Sequence, residues 1–190
     1  CWAHDWGSAI GDFFDERSFD LVGMTLRNTD DCAFTSRQSF LAEFAAMAET
    51  VGRHTDASVV VGGVGFGVMP EYVLDLCKAD AGFRGDGEFG LLQLAESMEG
   101  KRPPQEVANL ICRDQDRWHT NRPSRSPLTD LPPMTRRWVD NRRYFHEGGQ
   151  AGIETKRGCS GRCIYCADPI AKGRTIRVRP PGAVVHEIER

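Results

Sequence analysis

Cys159, Cys163 and Cys166 form a CxxxCxxC triplet within Glu154-Thr155-Lys156-Arg157-Gly158-Cys159-Ser160-Gly161-Arg162-Cys163-Ile164-Tyr165-Cys166. Three thiolates at this spacing can hold three irons of a [4Fe–4S] cluster and leave the fourth iron open to a substrate or cofactor. Cys1, Cys32, Cys77 and Cys112 are all upstream and dispersed, and no cysteine follows Cys166. A ferredoxin-type cluster therefore lacks its fourth ligand. A structural zinc site would have to recruit Cys112, His146 or His186 at irregular spacing. A redox pair of Cys163 and Cys166 leaves Cys159 without a role. The open-site cluster accounts for count, spacing and context together.

Other polar groups carry weaker chemistry. Asp86 and Glu88 could work as an acid–base pair, but hydrogen bonding to loop amides or to a ligand tail is the better reading of so short a spacing. Lys156, Arg157 and Arg162 can offset the negative charge of a thiolate-bound cluster, or be solvated. Arg174, Arg177 and Arg179 alternate along an expected second strand as a solvent-facing row. His54 falls at a helix end and reads as a surface residue.

The elements that must position these groups follow from apolar periodicity. Phe19 to Leu26 reads as a buried strand running into the polar loop Arg27-Asn28-Thr29-Asp30-Asp31. Ser36 to Arg53 carries Phe40, Leu41, Phe44, Met47, Ala48 and Val51 on one helical stripe, with Thr35 and Gln38 as a capping box. Ala57 to Gly63 is continuous and β-branched, as expected of a parallel strand covered on both faces. Pro70 opens a second helix with Tyr72, Val73 and Leu76 inward. Ala79 to Phe83 is a weaker strand, followed by Gly85-Asp86-Gly87-Glu88 and a helix through Leu91 to Met98, ended by Gly100.

This alternation predicts an open α/β fold, an incomplete Rossmann-like parallel sheet whose other strands would precede Cys1. Ligands of such sheets sit beyond the carboxyl ends of the strands, where three loops stand: residues 27–31, 62–67 and 85–88, the last two rich in glycine. Residues 101–150 contain Pro103, Pro104, Pro123, Pro127, Pro132 and Pro133 and read as a linker. A strand from Gly152 to Lys156 then leads into the cysteine loop, and a helix begins after Pro180-Pro181. The domains expected are residues 1–100, 101–150 (linker) and 151–190.

Composition sets limits. The chain has 190 residues, 40% of them apolar and 27% charged, enough for a real core. No run approaches 18 apolar residues, so a membrane span is not expected. Seven cysteines in a core-rich chain favour a reducing, cytoplasmic setting. Residues 1–100 carry 6 basic and 17 acidic side chains, and residues 101–190 carry 18 and 10, consistent with two modules. The scattered arginines of the basic half argue against nucleic acid as a partner. The start at Cys1 and the end inside a helix suggest a fragment.

On the strand, Gly158, the cysteine triplet and the aromatic Tyr165 before the last cysteine, the chain resembles the radical S-adenosylmethionine (SAM) superfamily. The resemblance implies that Cys159, Cys163 and Cys166 ligate a [4Fe–4S] cluster whose open iron chelates SAM, with Tyr165 near the adenine. It further implies reductive cleavage of SAM to a 5′-deoxyadenosyl radical, a reductant such as flavodoxin or ferredoxin, a small-molecule substrate, and a partial TIM barrel of which residues 151–190 form the first βα unit. The fragment alone would then not turn over. The bland alternative makes Tyr165 a core aromatic.

The N-terminal half, ahead of a Pro-rich segment and the cysteines, looks like the cobalamin-binding domain fused to many radical SAM enzymes. That likeness assigns Arg27, Asn28, Thr29, Gly62, Gly63, Gly65, Phe66, Gly85, Asp86, Gly87 and Glu88 to cobalamin. An Asp-x-His-x-x-Gly loop is missing, since His4 is followed by Asp5 and Trp6, so no histidine from this domain is expected on cobalt. The implied function is cobalamin-dependent methyl transfer to an unactivated carbon or phosphorus centre. Two alternatives remain: a cobalamin-independent radical SAM enzyme, ring-forming or methylthio-transferring, and a non-enzymatic α/β module with a structural metal site.

Overall fold

A computed structural model describes residues 5–135, 137–150 and 152–189; Cys1 and His4, singled out above, lie outside them. The chain divides into two compact units, Cys1–Arg125 and Ser126–Arg190.

In the first unit the elements run α1 (Trp6–Phe14), β1 (Leu21–Thr25), α2 (Leu41–His54), β2 (Ser58–Gly62), α3 (Pro70–Cys77), β3 (Ala81–Phe83), α4 (Glu88–Met98), β4 (Leu110–Asp114) and β5 (Arg117–Thr120). They build one five-stranded sheet in the order β1-β2-β3-β4-β5. The first three strands are parallel, with Leu21 opposite Ser58, Thr25 opposite Gly62 and Val60 opposite Ala81. β4 and β5 are antiparallel, Phe83 facing Leu110 and Cys112 facing His119.

The apolar run of β2 divides between two cores. Val59 and Val61 pack with Phe14, Val51, Phe66, Val73, Leu74 and Ile111 on one face. Val60 packs with Ala81, Phe83, Val107 and Leu110 on the other, where Leu94 of α4 joins them. Covering both faces is what a continuous β-branched run requires, and each buried valine contributes roughly 1.5–3 kcal/mol.

Several expectations are corrected here. Two further strands of the sheet come from residues 110–120, inside the stretch read as a linker, and the first unit extends to Arg125. The β4–β5 turn places Gln115 at φ +55, without the Asn-Gly or Asp-Gly signal that marks such turns. α2 begins at Leu41, so Thr35 and Gln38 form no capping box; Ser36 and Gln38 instead bond Asp31 in the preceding loop. In α3 the buried stripe is Val73, Leu74 and Cys77, while Tyr72 is exposed and Leu76 only half-buried. Helix α1 carried no prediction.

The hairpin is clamped to α3 through one carboxylate. Trp118 Nε1 donates to Asp75 Oδ1 at 3.1 Å, Arg113 pairs with the same carboxylate, and the Arg113 guanidinium lies 4.3 Å over the Trp118 ring.

The second unit contains α5 (Asn141–His146), β6 (Lys156–Arg157), α6 (Asp168–Ala171), β7 (Arg177–Val178) and α7 (Pro181–Ile188). β6 and β7 pair antiparallel, Lys156 with Val178 and Arg157 with Arg177. The strand expected over Gly152–Lys156 is thus two residues long and shifted to 156–157. Arg179 is not solvent-facing. It is buried, meets Glu187 Oε2 at 2.6 Å, and its Nη1 donates to the Glu154 carbonyl at 2.8 Å. Among the described residues no helix is long and apolar enough to cross a membrane.

Candidate functional site

The cysteine loop leaves β6 through Gly158, at φ +87, where any Cβ would collide with the Thr175 carbonyl. Only glycine is accommodated there at low cost. Cys159 N donates to Gly173 O at 3.0 Å and Arg174 Nη1 to Gly161 O at 3.4 Å, which anchors the loop to residues 173–175. At its far end Cys166 N bonds Cys163 O at 3.3 Å, directly before α6.

All three cysteines are free thiols, Cys163 exposed and the other two half-buried. Cys159 and Cys163 flank Gly161: a Cβ there would lie 3.3 Å from one Sγ and 3.8 Å from the other. Among the described residues no three Cys, His, Asp or Glu side chains converge closely enough to hold a metal ion. The donor set itself, three soft thiols on one glycine-bearing loop, fits an iron–sulfur cluster.

Tyr165 is 88% exposed and Ile164 is fully exposed, so Tyr165 is no core aromatic. Of the three cations named beside the cysteines, Arg157 is held by Glu154 at 2.9 and 3.0 Å, while Lys156 and Arg162 are exposed.

The three rim loops of the first unit follow the carboxyl ends of β1, β2 and β3, as the parallel order demands. The first two are stitched together through backbone. Leu26 N donates to Gly62 O at 2.9 Å, and Gly65 N reaches Leu26 O at 3.0 Å and Arg27 O at 2.9 Å. Gly63 sits at φ +104 against the Leu26 carbonyl. Phe66 has no exposed surface and packs on Gly82, so its side chain is core and not ligand-facing. Arg27 and Asn28 are exposed, and Thr29 Oγ1 donates to Asp30 Oδ2 at 3.0 Å.

In the third loop Gly85 adopts φ +93, Gly87 caps α4, and Glu88 is the first residue of that helix. A carboxylate there is favoured by the helix dipole, which supports a structural part for Glu88 over acid–base work. The Asp86 carbonyl accepts from Asn109 Nδ2 at 2.9 Å. Asn109 was not among the expected site residues; asparagine's tolerance of positive φ just before the apolar run Leu110-Ile111-Cys112 was the available signal.

Two cysteines outside the triplet are chemically quiet. Burial pushes the Cys77 thiol up to about 11 and raises that of Cys112, with Asp114 adding to the latter. Cys32 is raised by its hydrogen bond to Asp30 and by that group's charge.

No family model matches the chain. A tryptophan 2-C-methyltransferase of Streptomyces laurentii is 31% identical over 97% of this chain and 39% of its own length. The radical S-adenosylmethionine methyltransferase TsrM of Kitasatospora setae, solved with cobalamin and a [4Fe–4S] cluster bound, superposes with a TM-score of 0.86 at 32% identity. It covers 98% of this chain and 38% of TsrM. TsrM has also been solved with its tryptophan substrate and a SAM analogue. The cobalamin-dependent S-adenosylmethionine radical enzyme OxsB shares the fold, at 17% identity and a TM-score of 0.75. The chain spans about two-fifths of the length of the curated Streptomyces laurentii methyltransferase.

Proposed function

We propose that this chain, similar over nearly its whole length to a cobalamin-binding radical SAM methyltransferase, holds a [4Fe–4S] cluster, SAM and cobalamin for methyl transfer to a small molecule. The observation that carries the proposal is the TM-score of 0.86 at 32% identity over 98% of the chain, which takes in both the glycine-loop rim and the cysteine loop.

In this reading Cys159, Cys163 and Cys166 supply thiolates to three irons, and Gly161 leaves the space between two of the sulfurs free of side chain. Tyr165, exposed one residue before the last ligand, would pack near the adenine of SAM. The loops Arg27–Thr29, Gly62–Gly65 and Gly85–Glu88 present backbone and polar groups to cobalamin. The cobalamin module runs through the hairpin to Arg125, and the segment from Ser126 carries the cluster loop. When bound, the cluster delivers an electron that cleaves SAM to a 5′-deoxyadenosyl radical, while cobalamin carries the methyl group. Flavodoxin or ferredoxin would supply the electron in a reducing cytoplasm. The names of the relatives make tryptophan and related indoles the first substrates to try on the complete protein.

The test is low-temperature EPR on the anaerobically iron- and sulfide-reconstituted, reduced protein, with and without SAM. A [4Fe–4S] signal that changes on adding SAM supports the reading, and stoichiometric zinc without a cluster signal overturns it. Retention of cobalamin through gel filtration separates the cobalamin-dependent reading from a cobalamin-independent one. In the complete protein, 5′-deoxyadenosine among the products is the mark of radical cleavage.

A further inference from the structure

We propose that Asn109 is the positioning residue of the third rim loop, Gly85–Glu88, and that it sets how tightly the first unit holds cobalamin. The inference rests on the cobalamin reading above.

Asn109 is 5% exposed and sits at φ +64, a conformation few residues other than glycine and asparagine adopt readily. Its Nδ2 donates to two carbonyls, Asp86 O and Ser124 O, both at 2.9 Å. Its Oδ1 accepts from Ser124 N at 2.8 Å. The backbone adds two further bonds: Arg84 N donates to Asn109 O at 3.1 Å, and Asn109 N donates to Arg122 O at 3.3 Å. One residue thus ties the exit of β3, the middle of the third loop and the strand leaving the hairpin.

The other two loops hold each other through the Leu26 carbonyl, while the third is the part of the rim that this side chain bonds directly. Its two glycines flank Asp86 and lower the cost of other backbone conformations. Without the Asn109 clamp, ligand binding would have to select one conformer from several, and apparent affinity falls by the fraction no longer competent.

The hairpin supplies its own control. Asn121 is 3% exposed and donates from Nδ2 to Pro104 O at 2.7 Å and Val107 O at 2.9 Å, bonds that secure the hairpin without reaching the rim. Asn109→Gly keeps the backbone conformation and removes only the side-chain bonds, while Asn121→Ala removes a comparable buried amide elsewhere.

The experiment titrates hydroxocobalamin into the wild-type chain and both variants by absorbance, with thermal unfolding of each recorded alongside. The expected result is a Kd raised about tenfold or more in Asn109→Gly, and a Kd near wild type in Asn121→Ala even where its unfolding temperature falls as far. Equal affinity of wild type and Asn109→Gly overturns the role of Asn109 alone, as does loss of affinity that tracks unfolding temperature in both variants. A wild-type chain with no affinity for hydroxocobalamin overturns the cobalamin reading itself.

Discussion

Gly63 and Leu26 lie so close that a Cβ on the glycine would overlap the leucine carbonyl, at a φ of +104 that side chains rarely adopt. The crossing of the first two rim loops is therefore a property of the backbone, and position 63 admits no side chain. Gly63→Ala should destabilise the first unit by about 2–3 kcal/mol through combined strain and overlap. The denaturant midpoint would fall, and cobalamin retention with it; an unchanged midpoint would contradict the crossing.

The triplet predicts a division among the cysteines. Substituting alanine for Cys159, Cys163 or Cys166 singly should abolish the SAM-responsive cluster signal and lower iron and sulfide content. The same change at Cys32, Cys77 or Cys112 should leave iron content at the wild-type level. Loss of iron from the Cys112 variant would reopen a four-ligand site.

Cys77 links folding to alkaline pH. Burial lifts its thiol from an ordinary 9.0 to about 11, so the unfolded chain releases this proton first as pH rises. The contribution of the neutral buried thiol is complete below pH 9 and is lost as pH climbs toward about 11. Wild type should lose more stability than Cys77→Ala between pH 8 and 10.5, read from urea midpoints. Alkylation at pH 8 should also reach exposed Cys163 well before Cys77.

Arg179 and Glu187 form a pair with side chains 8% and 4% exposed. Glu187→Ala strands a buried guanidinium and should cost roughly 3–5 kcal/mol in the second unit. A double replacement, Arg179→Met with Glu187→Leu, should recover most of that loss. If the double variant is as unstable as the single one, the bond from the Arg179 guanidinium to the Glu154 carbonyl matters more than the charge pair.

The parts legible in the sequence were those with strong periodicity or rare residue types. The β-branched run at residues 58–62, Pro70 at a helix start and the triplet at 159–166 each carry a signal that few alternatives satisfy. The hairpin at 110–120 was hidden because its turn uses Gln115 in place of glycine or asparagine, and because prolines on either side imitate a linker. Arg179 was misread since alternation along a two-residue strand cannot reveal that the chain turns inward at its end. The expected α2 cap failed because the helix starts at Leu41, six residues beyond Thr35, the intervening segment being held to the loop at Asp31 by Ser36 Oγ and the Gln38 carbonyl. Asn109 escaped notice since its partners lie 23 and 15 residues away in sequence.

Strand order in the first unit follows chain order, each strand pairing with the one made just before it. Such a sheet can assemble progressively as the chain leaves the ribosome, each new strand docking on the one before it, with the longest closure the one that brings Leu21 to Ser58. The order also fixes where the chain may be cut. A domain boundary drawn at residue 100, where composition changes, would strip away β4 and β5 and leave the buried β3 as a bare edge, open to pairing with another molecule. An expression boundary after Arg125 keeps that edge covered, and it is the shorter of the two that should aggregate.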